Sequence, residues 1–169
     1  MQVAEKWRHE TMQHRTVKSN TELANMLDDT NWGHHFDRSE VEHIASYMSL
    51  VSYIDGEKIF SEGDRERYMA FIVKGAIDIY KESRDGTEKI VVTLSRRSHF
   101  GEMAFIDEQS RSASAYAKNS VSLLLLTREN FEALIEAQPK IGIKMLKLIA
   151  RMISDRLRST TGKWVFLRE

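Results

Sequence analysis

Between residues 50 and 126 the chain breaks into short runs rich in Val, Ile, Tyr and Phe, separated by polar steps that carry glycine. The runs are Leu50–Ile54, Lys58–Ser61, Met69–Val73, Ala76–Lys81, Glu88–Leu94, Ser114–Ala117 and Val121–Leu126. Between them stand Asp55-Gly56, Glu62-Gly63, Lys74-Gly75 and Asp85-Gly86, where glycine supplies the positive φ that a tight turn often requires. Ile77 and Ile79 alternate with polar neighbours, as do Ile90, Val92 and Leu94, so these strands are expected to bury one face. Seven short strands spaced about 8–12 residues apart imply a sandwich or barrel-like roll.

The flanks carry a helical period instead. Leu23, Met26 and Leu27 follow Thr21, a candidate N-cap. Val41, Ile44, Ala45 and Met48 follow Asp37 or Ser39, each with a glutamate three positions on (Glu40 or Glu42) to complete a capping box. Thr127 can cap a helix to about Ala137, and Pro139 suits the first turn of a longer helix to about Thr160. In that helix Ile141, Met145, Leu148 and Met152 form one apolar stripe, and Leu146, Ile149, Ile153 and Leu157 a second beside it. One stripe suffices to dock a helix on its own domain, so two point to a partner surface. The expected fold class is α+β: an antiparallel, jelly-roll-like β-roll with N-terminal helices, a short helix after Gly101 and a long C-terminal helix. The expected division is a helical extension over residues 1–35, a domain over 36–160 and a tail over 161–169.

Composition narrows the function classes. Hydrophobic residues make up 41% of the 169 and charged residues 30%, an ordinary balance for one globular domain. The 25 basic and 25 acidic side chains cancel, which argues against a dedicated nucleic-acid binder. With no cysteine, neither a disulfide framework nor a thiolate metal site can form. No stretch has the length and apolarity of a membrane span, and Met1 to Asn20 lacks a signal-peptide run, so a cytoplasmic location is expected. His34, His35 and His43 match no metal-ligand spacing, and no nucleophile elbow, phosphate-binding lysine loop or acidic cluster stands out. The chain therefore reads as a binding module, not an enzyme, with no metal.

The segment Phe100 to Ala115 carries the most chemistry. Gly101 lets the backbone approach a neighbour closely, and the amides of Glu102, Met103 and Ala104 would open a short helix with their N–H groups free, as suits an anion. Arg111 adds a planar, permanently charged fork suited to phosphate oxygens, and Ser112 a hydroxyl donor. Glu102, ionised, only accepts hydrogen bonds, so it suits a sugar hydroxyl. The small Ala113 and Ala115 leave room beside them.

This segment resembles the phosphate-binding cassette of the cyclic-nucleotide-binding domain family, which includes the catabolite activator protein, the regulatory subunit of cAMP-dependent protein kinase and cyclic-nucleotide-gated channels. Tyr53 to Asp64 resembles the family's first hairpin, Phe71-Ile72-Val73-Lys74-Gly75 its second, and Arg156-Leu157-Arg158 the end of its long helix, so the likeness spans about residues 36–160. The resemblance implies that Arg111 pairs with a cyclic phosphate, that Glu102 takes the ribose 2′-hydroxyl, and that Gly101, Met103, Ala104 and Ser112 complete the cradle. It makes cAMP the first-choice ligand, with cGMP or a cyclic dinucleotide as alternatives. Arg156, Thr160 and Trp164 are candidates for contact with the base. A homodimer through the Pro139–Thr160 helix and a protein effector are implied as partners, and specific DNA binding by this chain alone is not expected, since only Thr161 to Glu169 follow the helix. The alternatives are a ligand-independent dimerising scaffold on the same fold, or the sensor fragment of a larger regulator. One departure stands out: the family's glycine turn before the cassette is replaced by Arg96-Arg97-Ser98.

Overall fold

The computed structural model describes residues 15–83 and 85–166, with the side chains of Arg15 and residues 161–166 outside the description. The first fourteen residues of the expected helical extension, and the side chain of Trp164, therefore lie outside it. The order of elements is β1 (Arg15–Thr16), α1 (Asn20–Asp28), a 3-10 turn (Gly33–His35), α2 (Arg38–Ala45), β2 (Ser49–Tyr53), β3 (Lys58–Phe60), β4 (Tyr68–Lys74), β5 (Ala76–Glu82), β6 (Glu88–Ser95), β7 (His99–Phe100), α3 (Glu102–Asp107), β8 (Ser114–Ala117), β9 (Val121–Thr127), α4 (Arg128–Ala137) and α5 (Pro139–Phe166). The seven expected strands are all present, joined by the two-residue strands β1 and β7, which are too short to show a period.

The strands form two antiparallel sheets, one in the order β1-β2-β9-β4-β7 and one in the order β3-β8-β5-β6. Val121, Leu123 and Leu125 of β9, with Val51, Ala70 and Ile72, face Ile59, Phe60, Ile77, Ala115 and Ala117 across one core. The intervening Leu124 and Leu126 are fully buried as well. On β4, Phe71 points away from the core cluster and meets Trp32 edge-on, ring centroids 4.9 Å apart. The five-stranded sheet is thus covered on both faces, which explains why β9 reads as a leucine run without alternation. By contrast, β6 is an edge strand whose Ile90, Val91 and Val92 are exposed.

Local chemistry fixes the helix starts. The cap of α1 is Ser19, two residues before Thr21, because only Ser19 has a glutamate at the third position. Its side chain accepts from the Glu22 amide, and the Glu22 carboxylate accepts from the Ser19 amide in turn. Asp37 caps α2 in the same reciprocal way with Glu40. The Thr127 hydroxyl accepts from the Asn130 amide at 3.2 Å to open α4. Each turn glycine singled out above has positive φ. The need is strictest at Gly75, where a Cβ would collide with the Ser120 carbonyl. At the Arg96-Arg97-Ser98 step, Arg97 itself adopts φ 77°. Its Nε donates to the Asp29 carbonyl at 2.7 Å, while Arg96 pairs with the Asp29 carboxylate. The missing glycine is replaced by a strained residue held by a neighbouring helix end.

The chain divides into two compact units between Phe131 and Glu132. In the second, Gly142 lies so close to Ile135 that a Cβ would approach its Cγ1 to 2.5 Å, which sets the packing of α5 on α4. On α5, Ile141, Met145, Leu148 and Ile149 are buried, whereas Ile143, Leu146 and Leu157 are exposed. The helix continues to Phe166, past the Thr160 end expected from its stripes, with no proline to stop it. No helix among the described residues is long and apolar enough to cross a membrane.

Candidate functional site

Gly101 joins β7 to α3 with φ 82°, in the left-handed region that favours glycine. A Cβ there would stand 2.6 Å from Nη1 of Arg111 and 2.9 Å from the Tyr68 carbonyl oxygen. The close approach that glycine permits is to the chain's own arginine. The Gly101 carbonyl accepts from Arg111 Nη1 at 3.1 Å and from the Phe105 amide at 3.4 Å, so it anchors both the guanidinium and the first turn of α3. The first-turn amides of such a helix have no partner within it.

The Arg111 backbone is pinned on both sides. Its amide donates to the Asp64 carbonyl at 2.7 Å, and its carbonyl accepts from the Gly63 amide at 2.8 Å. The Glu62–Asp64 turn after β3 thereby holds the segment before β8. The Ser114 hydroxyl accepts from the Glu62 amide at 2.9 Å, and Lys81 Nζ donates to the Ser112 carbonyl at 2.7 Å while pairing with Glu62.

The Arg111 side chain is buried, at 3% exposure. Its Cζ lies 4.1 Å from the centre of the Phe60 ring and 4.3 Å from that of Tyr68, and these rings meet edge to face at 71°. The guanidinium therefore sits in the corner of two aromatic faces, where ring quadrupoles attract a cation. Burial pushes its pKa down, and Tyr68, Glu66 and Asp64 pull it back up. Burial also pushes the Tyr68 hydroxyl up to about 12, so it stays protonated at neutral pH. Nε and Nη2 of Arg111 are buried and meet no acceptor at full hydrogen-bond geometry among the described residues, although the Tyr68 hydroxyl acts on the guanidinium. Unpaired donors on a buried cation are costly unless an acceptor meets them. This donor set, fixed and charged, fits an anionic oxygen ligand.

The other expected site residues take varied positions. Glu102 is 2% exposed and Ala104 is also buried, whereas Met103 is 48% exposed. Ser112 is exposed, its hydroxyl 3.8 Å from the Met103 sulfur. Gly101 and Arg111, and Met103 and Ser112, are thus brought together across the cassette. Arg156 and Thr160 belong to α5, where both are exposed and the Thr160 hydroxyl donates to the Arg156 carbonyl at 2.9 Å. Phe60, Tyr68, Asp64 and Lys81 are site neighbours that sequence reasoning missed, because an aromatic residue in a strand looks the same whether it packs on leucine or on arginine. No group of His, Asp and Glu suited to a metal ion occurs among the described residues. A surface cleft of about 380 Å³ lies elsewhere, lined by Asp55, Asp78, Tyr80, Glu88, Tyr116 and Lys118.

Comparison with known proteins agrees with this geometry. The family model for the cyclic nucleotide-binding domain matches residues 50–138. The cyclic AMP receptor protein of Thermus thermophilus is 33% identical over 116 residues, which is 69% of this chain and 54% of that protein. The chain thus spans about half the length of that curated relative. A crystal structure of a cyclic nucleotide-binding domain from Methylobacillus flagellatus superposes with a TM-score of 0.74 at 24% identity, covering 85% of this chain and 81% of that one. The Thermus thermophilus catabolite activator protein gives a TM-score of 0.69 at 31% identity, covering 84% of this chain and 62% of that one. The family model covers more than half of the chain, and the chain belongs to the cyclic nucleotide-binding domain family.

Proposed function

We propose that this chain is a regulatory cyclic-nucleotide receptor module that binds cAMP and relays binding to α5. The observation that carries the reading is the buried guanidinium of Arg111, whose Nε and Nη2 meet no acceptor at full hydrogen-bond geometry among the described residues. A cyclic phosphate brings one negative charge and two exocyclic oxygens, matching a guanidinium in sign and shape. In this reading the first-turn amides of Met103 and Ala104 and the Ser112 hydroxyl add donors. Glu102 accepts from the ribose 2′-hydroxyl, and Arg156, Thr160 and Trp164 are candidates for the base. Relay is a population shift, in which the ligand binds one arrangement of α5 better than another. The relative's name gives cAMP for that protein, which makes it the first ligand to test here, before cGMP and cyclic dinucleotides.

The same reading makes the module non-enzymatic, cytoplasmic and homodimeric through Pro139–Thr160, acting on a protein effector and without specific DNA affinity of its own. The exposed Leu146 and Leu157 support a second copy as the occupant of that part of the helix surface.

A thermal-shift and calorimetric screen against cAMP, cGMP and cyclic dinucleotides tests the reading. A ligand present at a hundred times its dissociation constant stabilises the fold by about 2.7 kcal/mol. Specific binding of a cyclic nucleotide that is lost in Arg111→Ala supports it, and no shift with any of them overturns it.

A second reading, a ligand-independent scaffold, is favoured by one observation: Arg111 already packs against Phe60, Tyr68 and the Gly101 carbonyl. The two readings part on whether Arg111 serves a ligand or the fold.

A further inference from the structure

We propose that α5 carries a docking row for an acidic helical segment of a partner protein, built from Lys140, Lys147, Arg151 and Arg158. This rests on the receptor reading in taking α5 as the output element, and it names the chemistry of the effector.

The formal net charge of the chain is zero, but the charge is unevenly placed. Residues 139–166 hold seven basic side chains and one acidic one, Asp155, so an equal and opposite acidic surplus lies elsewhere in the chain. At 100° per residue, Lys140, Lys144, Lys147, Arg151 and Arg158 fall within a sector of about 60°, a single row about 27 Å long. All five are exposed. Lys140, Lys147, Arg151 and Arg158 form no ion pair with a described residue. The row works against its own helix. Lys140 stands in the first turn, where the macrodipole disfavours a cation and no acid offsets it. Lys147 and Arg151 are like charges at i and i+4, which repel. A local cost on an exposed surface, with no compensating contact, points to a partner.

Charge and shape select that partner. The row is one side chain wide, and its first four cations follow at spacings of four, three and four. A helix with carboxylates at the same spacing would set one opposite each cation in turn. A nucleic-acid duplex or an anionic leaflet is a broad surface, which the acidic surplus of the rest of the chain would repel. The row also lies about a third of a turn from Ile143, Leu146 and Leu157, so a second copy on that exposed apolar stripe leaves it open.

The test uses the full chain, with and without cAMP, and a synthetic helical peptide carrying glutamate at spacings of four, three and four. A shuffled peptide of the same composition, a DNA duplex and phosphatidylserine-containing vesicles are the comparators. Labelled peptides and duplex are followed by fluorescence anisotropy, and vesicles by cosedimentation. The patterned peptide is expected to bind about tenfold more tightly than the shuffled one. The double variant Lys140→Glu with Lys147→Glu is expected to weaken that binding about tenfold or more, since two ion pairs become repulsions. Its melting temperature is expected not to fall, because both changes relieve the dipole and like-charge costs. Lys140→Arg with Lys147→Arg keeps the charge and is expected to keep the binding. If the charge-reversed variant fails to fold, Lys140→Gln with Lys147→Gln makes the same test. Equal binding of the shuffled peptide, tighter binding of duplex or vesicles, or unchanged affinity in the variant overturns the proposal. A changed sedimentation rate in the variant would put a second copy on the row and overturn it too. Peptide binding by a protein that takes no cyclic nucleotide would overturn the receptor reading and leave the row standing. Nucleotide binding without peptide binding would overturn the row alone.

Discussion

At Arg111 the proposed ligand and the fold would compete for one side chain. A buried cation whose Nε and Nη2 meet no acceptor at full hydrogen-bond geometry among the described residues carries a desolvation cost, only partly offset by Tyr68, Glu66 and Asp64, that an apolar residue of similar volume would remove. Arg111→Met is therefore expected to leave the ligand-free protein at least as stable as the wild type. A gain of about 1 kcal/mol would appear as a rise in melting temperature of about 2–4 °C. A clearly lower melting temperature would mean that the arginine serves the fold and would favour the scaffold reading. Gly101→Ala should do the opposite. Its Cβ would meet Arg111 Nη1 at 2.6 Å in a backbone at φ 82°, so a loss of about 1–2 kcal/mol of stability should accompany weakened binding. Denaturant unfolding with and without cAMP separates the two effects. That Gly101 and Arg111 belong to one site was legible in the sequence, since glycine and guanidinium each do something few other residues can. The aromatic corner was not, because Phe60 and Tyr68 are distinguished only by what lies across the core from them.

At the scale of elements, turn glycines and reciprocal caps are short-range chemistry and can be read from a few adjacent residues. The glycine hairpins followed directly from sequence, and the α2 cap was narrowed to Asp37 or Ser39, of which Asp37 is the one used. The Ser19 cap illustrates the limit: Thr21 sits closer to the apolar period, but Ser19 alone has the glutamate that closes the box. Ser19→Ala is expected to cost about 1 kcal/mol, measured by chemical denaturation. The Glu22 carboxyl is held at about 2 by Lys18 and Ser19. Its folded pKa is below the ordinary 4.5, so this contribution is present above that value and fades as pH falls toward 2. The strands β1 and β7 escaped notice because two residues carry no period, and Arg97 because its positive φ depends on an Asp29 carbonyl far away in the chain.

For the whole molecule, the two stripes of α5 differ in the single chain. Ile141, Met145 and Leu148 of the first are buried, whereas the second has Ile149 buried but Leu146 and Leu157 40% and 65% exposed. Charge placed on the second stripe, as in the double variant Leu146→Glu with Leu157→Glu, should leave a folded monomer where the wild type sediments as a dimer. A wild type that stays monomeric at high concentration would remove the dimer from the account. The central claim is that Arg111 captures a cyclic phosphate, and calorimetric titration of wild type and Arg111→Ala with cAMP tests it most directly. Hydrogen bonds to charged groups contribute about 1.5–3 kcal/mol each. The account therefore predicts saturable binding to the wild type that weakens by roughly ten- to several-hundredfold in the variant. Equal affinity in the two proteins would contradict it.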